Sequence, residues 1–175
     1  METLATSVLT PATPADVPAL VMLINQAYRG KASHQAWTTE DHLLEGPRID
    51  EAGLHAMLRA PKATLLKHLD ANGNLTGCVY LQRQGCHLYL GTLAVAPQAQ
   101  AQGVGKHLLA QADDYARQQG CSHLKITVLS ARPELVAWYE RHGYVRTGEA
   151  EPFPETLRFG KPRQLLTLLV LEKAL

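Results

Sequence analysis

Two glycines one residue apart, Gly103 and Gly105, stand immediately before a run of residues that favours a helix. A glycine in or beside a helix costs roughly 0.5–1 kcal/mol relative to alanine, so a pair of them needs a reason. Amides at a helix N-terminus carry partial positive charge, and a loop without side chains lets phosphate oxygens reach them. A tight turn with close packing of the helix explains the same residues, so the surroundings must decide.

Two phosphate motifs of other protein classes do not fit this loop. In a P-loop four residues separate the first glycine from Gly-Lys-Ser/Thr, whereas here Gly105-Lys106 is followed by His107. A dinucleotide fingerprint has a third glycine where this chain has Leu108, and the acidic residue expected about twenty residues further on is missing. The loop therefore belongs to neither class of nucleotide-binding protein.

The composition is that of a globular protein without a general charge bias. The chain has 175 residues, of which 46% are hydrophobic, so we expect one domain over residues 1–175 with a sizeable core. The 17 Lys and Arg and 16 Asp and Glu residues give a net charge of +1, which offers no broad field for nucleic acid or a membrane surface. The first residues show no basic segment followed by an apolar core, which predicts a cytoplasmic protein.

Cysteines and histidines give no sign of a metal site or a covalent intermediate. Cys78, Cys86 and Cys121 are an odd number at wide spacing, which suits neither a disulfide framework nor a zinc site. The 8 histidines include no H-x-x-x-H pair, and no G-x-S-x-G elbow is present. We therefore expect no metal and a direct reaction between substrates.

The periodicity of the apolar residues predicts the elements that must position this loop. Thr13-Pro14-Ala15-Asp16 has the features of a helix start, and a helix follows to about Tyr28. Further helices are predicted over Thr39–Leu44, Glu51–Ala60, Val104–Gln119 and the segment RPELVAWYERHG. Strands are predicted over Ala63–Leu69, Leu75–Gln82, Cys86–Val95, His123–Ser130, Tyr144–Gly148 and Gln164–Leu171. This order, with one β-α-β crossover after an antiparallel meander, implies an α/β protein with a mixed sheet.

The segment Gln100-Ala101-Gln102-Gly103-Val104-Gly105 resembles the Q/R-x-x-G-x-G/A signature of the GCN5-related N-acetyltransferase (GNAT) family, which uses acetyl-coenzyme A. A second block, LVAWYERHGYVRTGE, is similar to the helix and strand that follow the fifth strand of that family. The resemblance extends over nearly the whole chain. It implies a central, mostly antiparallel twisted sheet that is splayed at the fourth and fifth strands and flanked by helices. The implied reaction moves the acetyl group of acetyl-CoA to a primary amine by direct attack in a ternary complex.

The resemblance also implies which residues bind the cofactor. Main-chain groups of the strand before the loop would pair with the pantetheine arm, and the loop amides would hold the pyrophosphate. Arg132 stands where relatives often have an asparagine, and it suits a phosphate contact, an acceptor contact or a solvated position. The implied cofactor-binding residues are Leu93, Ala94, Val95, Gln100, Ala101, Gln102, Gly103, Val104, Gly105, Lys106 and Arg132.

The resemblance implies one catalytic residue, Tyr139, and the candidate base comes from this sequence itself. Tyr139 matches the tyrosine that protonates the departing coenzyme A sulfur in many family members, although packing against Trp138 explains it too. Many relatives carry a glutamate base on the bulged strand, but the segment GTLAV has no acid. Glu40 is the candidate base, with Asp41 as its rival, and the alternative is an acid in the first turn of a helix.

The resemblance implies that two segments choose the acceptor: the segment between the first two helices, and the loop before the last strand. The candidate residues there are Tyr28, Trp37, Thr38, Arg48, Phe153 and Arg158. Together with Glu40 they suit a small zwitterion, another small-molecule amine or a peptide amine, and the sequence leaves these alternatives open. Trp37 suits a pocket wall and a core anchor equally well.

A second function is compatible with the same residues. A regulatory or interaction module of this fold could bind coenzyme A without catalysis, and its glycines would look the same. Release of free thiol from acetyl-CoA in the presence of an amine distinguishes an enzyme from such a module. A homodimer is left open.

Overall fold

The structure is a computed structural model, and it describes residues 8–29, 40, 42–154 and 160–175. The helices are α1 (Val17–Arg29), α2 (Glu51–Arg59), α3 (Val104–Gln118) and α4 (Pro133–Arg141). The strands are β1 (Val8–Pro11), β2 (Leu44–Glu45), β3 (Ala63–Leu69), β4 (Leu75–Gln84), β5 (His87–Val95), β6 (His123–Leu129), β7 (Val145–Pro152), β8 (Lys161–Pro162) and β9 (Thr167–Ala174). Short 3-10 turns at Pro14–Asp16 and Pro97–Ala99 come before α1 and α3.

Seven of these strands form one sheet in the order β1-β3-β4-β5-β6-β9-β7, and β2 pairs with β8 separately. All neighbours in the large sheet are antiparallel except β5 and β6, which are parallel. The parallel pair is joined by α3, the crossover that such a connection needs. The expected mixed α/β fold with a mostly antiparallel sheet is confirmed.

Helices cover both faces of the sheet at its centre. Residues 76–81 of β4 are buried without alternation, which requires a layer on each side. On one side α3 lies directly on the strand, because a Cβ on Gly77 would be 3.0 Å from Val104 Cγ1 and 3.2 Å from Leu108 Cδ1. The apolar face of α1, with Leu20 and Ile24 fully buried, packs in the same core.

A bulge bends β5 just before it reaches the loop. Val79 of β4 pairs with Leu93, and Leu81 pairs with Leu90. Two steps along β4 therefore match three steps along β5, so β5 carries one extra residue. Such a bulge increases the local twist and turns the strand away from its neighbour.

The strands β5 and β6 separate soon after they begin. Their ladder runs only from His87 with His123 to Tyr89 with Lys125, whereas β6 stays paired with β9 as far as Leu129. The remaining part of β5 has no partner on that side within the described ladder. The predicted splay of the sheet is present, and it leaves an opening between the two strands.

The predicted helix over Thr39–Leu44 is wrong in its described part. The amides of Leu43 and Leu44 both donate to the carbonyl oxygen of Glu40, at 2.9 and 3.0 Å, which closes a single turn. Leu44 then enters β2 and pairs with Pro162 of β8. Pairing with a strand more than a hundred residues away fixes the conformation of Leu44, and the local sequence contains no signal of that pairing.

The strands also differ from the prediction in several places. The short edge strand β1 was missed, because four residues give no recognisable alternation. β7 continues past Gly148, which has a φ of +87° and lies at a register shift between Arg146 and Ala150. β9 begins three residues later than predicted, at Thr167.

None of the helices in the described part of the chain combines the length and the hydrophobicity of a membrane-spanning helix.

Candidate active site

One cavity of about 420 Å³ occupies the opening between β5 and β6. Tyr28 of α1 and Arg48 line it from one side of the sheet, and Tyr139 of α4 lines it with them. Glu40 and Phe153 complete the set of predicted residues in its wall. The structure therefore gathers five residues that the sequence predicted for catalysis or acceptor binding. Trp37, Thr38, Asp41 and Arg158 lie outside the described residues.

Backbone groups of β5 point into this opening in alternation. The amide of Ala96 donates to the carbonyl oxygen of Thr76 at 2.8 Å, so the pair two residues earlier, Ala94 with Cys78, is also of the hydrogen-bonded type. Leu93 and Val95 then direct their N–H and C=O groups away from β4 and toward the gap. Ala94 pairs with Cys78 in the ladder with β4, and the binding of the cofactor by Leu93, Ala94 and Val95 stays a prediction.

The two carbonyl groups that face the gap are held by side chains. The hydroxyl of Tyr28 donates to the carbonyl oxygen of Leu93 at 2.5 Å. The amide group of the Gln100 side chain donates to the carbonyl oxygen of Val95 at 3.2 Å. Gln100 thus fastens the start of the loop to the end of β5, and Tyr28 fastens α1 to the bulged strand.

The two glycines of the loop are needed for different reasons. Gly103 is the N-cap of α3 with a φ of +82°, and no described atom lies within 4 Å of the position that its Cβ would take. A Cβ on Gly105 would lie 3.3 Å from Cζ2 of Trp138. Gly103 therefore provides a left-handed turn beside open space, whereas Gly105 allows α4 to pack closely on the start of α3.

The rest of the loop is exposed, apart from Val104. Ala101 also has a positive φ, +62°, and is exposed together with Gln102 and Lys106. The Val104 side chain packs on β4, which leaves only its amide for a ligand. Next to the loop lies a second cavity of about 630 Å³, whose wall includes Gln102 and Gly103.

Tyr139 is buried in the wall of the first cavity. Its ring makes edge contacts with Trp138 and Tyr144, at centroid distances of 5.0 and 5.5 Å. Burial raises the pKa of the Tyr139 phenol well above its ordinary value of 10.0. The hydroxyl is therefore in its acid form at neutral pH, and the ring packs against Trp138 as well.

Glu40 is buried among guanidinium groups. Its carboxylate oxygens lie 3.5 Å from Arg29 Nη1 and 3.8 Å from Arg132 Nη1, and 8% of the residue is exposed. Burial raises the pKa of the Glu40 carboxyl, and Arg29, Arg48 and Arg132 oppose this shift, in that order. The amide of Glu40 donates to the carbonyl oxygen of Tyr28 at 2.8 Å, which ties it to the end of α1.

A family model described as "Acetyltransferase (GNAT) family" matches residues 22–144, which include α3, α4 and the loop between β5 and α3. The chain belongs to the GNAT family. The match covers more than half of the chain. The splayed sheet and the glycine loop agree with the architecture that the resemblance to this family implied.

Individual GNAT proteins resemble this chain in sequence and in fold. Two proteins named amino-acid acetyltransferase, from Neisseria meningitidis serogroups A and B, are each 30% identical over 138 residues, which is 77% of this chain and 30% of theirs. The chain thus spans about 30% of the length of these curated relatives.

Solved structures of 17–20% identity share the fold. The ribosomal-protein-S18-alanine N-acetyltransferase from Escherichia coli aligns with a TM-score of 0.73 and 17% identity over 97% of this chain and 94% of that chain. A putative acetyltransferase from Salmonella typhimurium, solved with acetyl-CoA, aligns with a TM-score of 0.67 and 20% identity over 97% and 94%. Sequence identities of this size show that the fold is shared, and they do not indicate which substrate this protein uses.

In this GNAT chain the Arg132 guanidinium lies beside Glu40, and its contact with the cofactor stays a prediction. Arg132 is the N-cap of α4 and 1% exposed, so it is not a solvated surface residue. Its Nε donates to Glu134 Oε1 at 2.6 Å, and its Nη1 lies near Glu40. The guanidinium therefore links α4 to the carboxylate in the cavity wall.

Sequence reasoning missed Arg29 and Thr92, which also line the cavity. Arg29 is the last residue of α1, where a basic side chain is common because it interacts favourably with the helix dipole. Its position in the sequence therefore gave no sign of a role in the site. Thr92 lies at the bulge of β5, and its hydroxyl accepts from Arg48 Nη2 at 3.4 Å. Among the described residues no group of three or more His, Cys, Asp or Glu could hold a metal ion.

Proposed function

We propose that this protein transfers the acetyl group of acetyl-CoA to the nitrogen of a primary amine. The observation that carries the proposal is the opening between β5 and β6, where one cavity brings together a buried phenol, Tyr139, and a buried carboxylate, Glu40. Backbone groups of Leu93 and Val95 face the same gap. An acyl transfer needs an acid, a base and donors for the carbonyl oxygen, and this arrangement offers all three.

The described residues fit acetyl-CoA. The amides of Leu93 and Val95 face the gap, where an extended pantetheine arm can bind as a strand would. The amides from Gln102 to Lys106 surround the start of α3, and the space at Gly103 leaves room for phosphate oxygens. The exposed Lys106 adds a positive charge at this end. The absence of a side chain at Gly103 is the feature that favours a phosphate group.

The chemistry assigns one role to each group of the chain. Acetyl-CoA supplies a thioester whose C–S bond breaks as the amine nitrogen forms its bond to the carbonyl carbon. The amides that face the gap polarise the carbonyl oxygen. Tyr139 donates its phenolic proton to the departing sulfur, which takes the C–S electron pair and leaves as a thiol.

Glu40 accepts the first of the two protons that an ammonium acceptor loses on becoming an amide, which frees the nitrogen lone pair, and the second proton goes to solvent after the attack. A base is needed because an amine such as lysine, with a pKa of about 10.4, is almost wholly protonated at neutral pH. Burial, which raises the pKa of the Glu40 carboxyl, makes it a stronger base than an exposed glutamate. Glu40 and Tyr139 then regain their starting protonation states by exchange with solvent.

Release of free thiol from acetyl-CoA, measured with a panel of amines, tests this function. The panel includes free amino acids, because curated relatives are named amino-acid acetyltransferase, as well as polyamines and short peptides with free N-termini. We expect amine-dependent thiol release and an acetylated product by mass spectrometry. Tight binding of acetyl-CoA with no thiol release by any amine would instead favour the coenzyme A-binding module.

A further inference from the structure

The geometry points to an acceptor amine that carries an aromatic ring several bonds away from its nitrogen. This inference rests on the proposed acetyl transfer and narrows its substrate class. The ring binds at the end of the cavity that is remote from Glu40 and Tyr139. We call this end the α2 pocket, and the described residues that define it are Ala56, Met57, Ala60, Tyr80, Gln82 and Tyr89.

The first observation is that the cavity extends along α2, away from the reacting centre. Before the start of the helix, Arg48 Nη2 donates at 3.4 Å to the hydroxyl of Thr92, which lies next to the amides that face the gap. Just beyond the end of the helix, the carbonyl oxygen of Pro61 accepts from Gln82 Nε2 at 3.3 Å, and Gln82 pairs with Tyr89. Three residues of strand separate Thr92 from Tyr89, which is a distance of up to roughly 10 Å. A compact amine at the reacting centre therefore leaves the α2 pocket unfilled.

The second observation is the difference in polarity between the two ends of the cavity. The charged side chains among the described lining residues are Arg29, Glu40 and Arg48, and all three belong to the end near the reacting centre. In the α2 pocket the Gln82 side chain donates to a backbone carbonyl oxygen through Nε2 and accepts from Gln84 through Oε1, at 3.3 and 3.2 Å. An ammonium group placed there would lose water without gaining an opposite charge, whereas an apolar group gains from burial.

The third observation is the shape of the α2 pocket. Ala56 and Ala60 stand four positions apart and are therefore on the same face at the end of α2, where their short side chains leave space. The sheet contributes the rings of Tyr80 and Tyr89. A Cβ on Gly91 would lie 2.8 Å from Tyr80 Cδ1, so the Tyr80 ring lies directly over the backbone of β5. Aromatic rings pair favourably in offset-stacked or edge-to-face arrangements, which makes an aromatic group a suitable occupant.

The test on the unmodified protein compares 4-phenylbutylamine with butylamine in the thiol-release assay. Both molecules carry the amine on the same unbranched four-carbon chain, and only the first has a ring. Its chain and ring together match the roughly 10 Å available along β5. We expect kcat/KM for 4-phenylbutylamine to exceed that for butylamine by about tenfold or more, because burial of a phenyl group is typically worth at least that much.

A linear diamine with eight carbons separates the effect of apolar character from that of length. It has a similar length to 4-phenylbutylamine, but its far end carries a charge. Because the described wall of the α2 pocket has no carboxylate to receive that charge, we expect the diamine to react no better than butylamine, counted per amino group.

Variants that fill the α2 pocket assign the preference to these residues. In Ala56→Leu we expect kcat/KM for 4-phenylbutylamine to fall by about tenfold or more and that for butylamine to change by less than about threefold. Ala60→Leu fills the same pocket from the C-cap of α2 and replaces Ala56→Leu if that variant does not fold. Ala110→Leu is the matched control, since Ala110 is an exposed residue of α3 that does not line the cavity among the described residues.

The outcomes separate this inference from the proposed function. Equal rates with 4-phenylbutylamine and butylamine, or turnover of other amines but not of 4-phenylbutylamine, overturn the inference and leave acetyl transfer intact. A diamine that reacts as well as 4-phenylbutylamine overturns it too, because the pocket then accepts a charge. A preference for the ring that survives in a folded Ala56→Leu or Ala60→Leu protein shows that the ring binds elsewhere. No thiol release with any amine contradicts the proposed function itself, and the inference falls with it.

Discussion

The loop from Gln100 to Lys106 offers backbone groups to a ligand, whereas the wall around Glu40 offers charged side chains. The loop is one continuous segment, exposed over most of its length, and two positive φ angles shape it. The wall brings Glu40 beside Arg29 and Arg132, more than ninety residues further along the chain, and all three are largely buried. A loop of this kind can bind an anionic ligand through its backbone amides, whereas a wall of charged side chains selects a ligand by its charge. The predictions below test this division, from the largest effect to the smallest.

Tyr139 connects the two regions, and its hydroxyl should have the largest single effect. Tyr139→Phe keeps the ring contacts with Trp138 and Tyr144 and removes only the acid, which is typically worth about 10²–10⁴-fold in rate. We expect kcat to fall by at least about tenfold while the Kd for acetyl-CoA stays nearly unchanged.

The matched control for that variant is Tyr144→Phe. It removes a buried hydroxyl from the neighbouring ring, and Tyr144 does not line the cavity among the described residues. We expect its kcat to stay close to that of the parent protein. A fully active Tyr139→Phe enzyme would show that the tyrosine is only a packing residue.

Replacing Glu40 by glutamine should damage the acceptor side alone. The amide keeps the shape of the side chain but cannot take the amine proton or attract the amine, so kcat/KM for the amine should fall by about tenfold. Calorimetry should find acetyl-CoA affinity nearly unchanged. Glu134→Gln is the control, because it also removes a carboxylate next to Arg132 but lies outside the cavity wall. Equal loss in both variants would mean that the charges only support the fold.

The cofactor side is tested by a pair of glycines with the same backbone conformation. Gly103 has a φ of +82° and Gly73, in the β3–β4 hairpin, has a φ of +80°, and no described atom lies within 4 Å of either Cβ position. Alanine in this conformation costs roughly 1–2 kcal/mol at either site, so both variants should lose similar stability. Only Gly103→Ala should weaken acetyl-CoA, by about tenfold or more in Kd. Similar affinities in the two variants would contradict the phosphate-binding loop.

Gly105 should respond as a packing residue. A methyl group there meets the Trp138 ring at 3.3 Å, and overpacking typically costs about 1–3 kcal/mol, from which the better helix propensity of alanine subtracts roughly 0.5–1 kcal/mol. We expect Gly105→Ala to lower the free energy of unfolding slightly, by denaturant titration. Adding Trp138→Phe should recover stability if the indole ring is what the methyl group meets.

The pH profile should show no loss of rate from Tyr139 below about pH 10. An acid catalyst fails when it is deprotonated, and burial raises the pKa of Tyr139 well above its ordinary value of 10.0. The fall in kcat caused by deprotonation of Tyr139 should therefore begin above about pH 10. Measured kcat with saturating acceptor should stay level up to about pH 10, and a decline that starts near pH 8 would place the acid on another group.

Local sequence patterns predicted most of the fold, because the spacing of apolar residues and the residues at element ends indicate helices and strands. α3 and α4 were placed to within one or two residues by their apolar spacing and the glycines after them. β1 and the β2–β8 pair were missed since their only signal is a partner distant in sequence. Likewise, the sequence could not show that the bulge of β5 assigns Leu93 and Val95 to the gap and Ala94 to the ladder.

The sequence by itself determined the family, the glycine loop at the start of α3 and the short list of residues from which the site is built. It could do so because a loop and a helix start are contiguous, and their chemistry lies in residue types a few positions apart. Only the tertiary structure decided that Gly105 faces Trp138, that Arg132 turns to Glu40, and that Arg29 joins them. Each of these depends on where separate elements meet, and packing over long sequence distances sets that position.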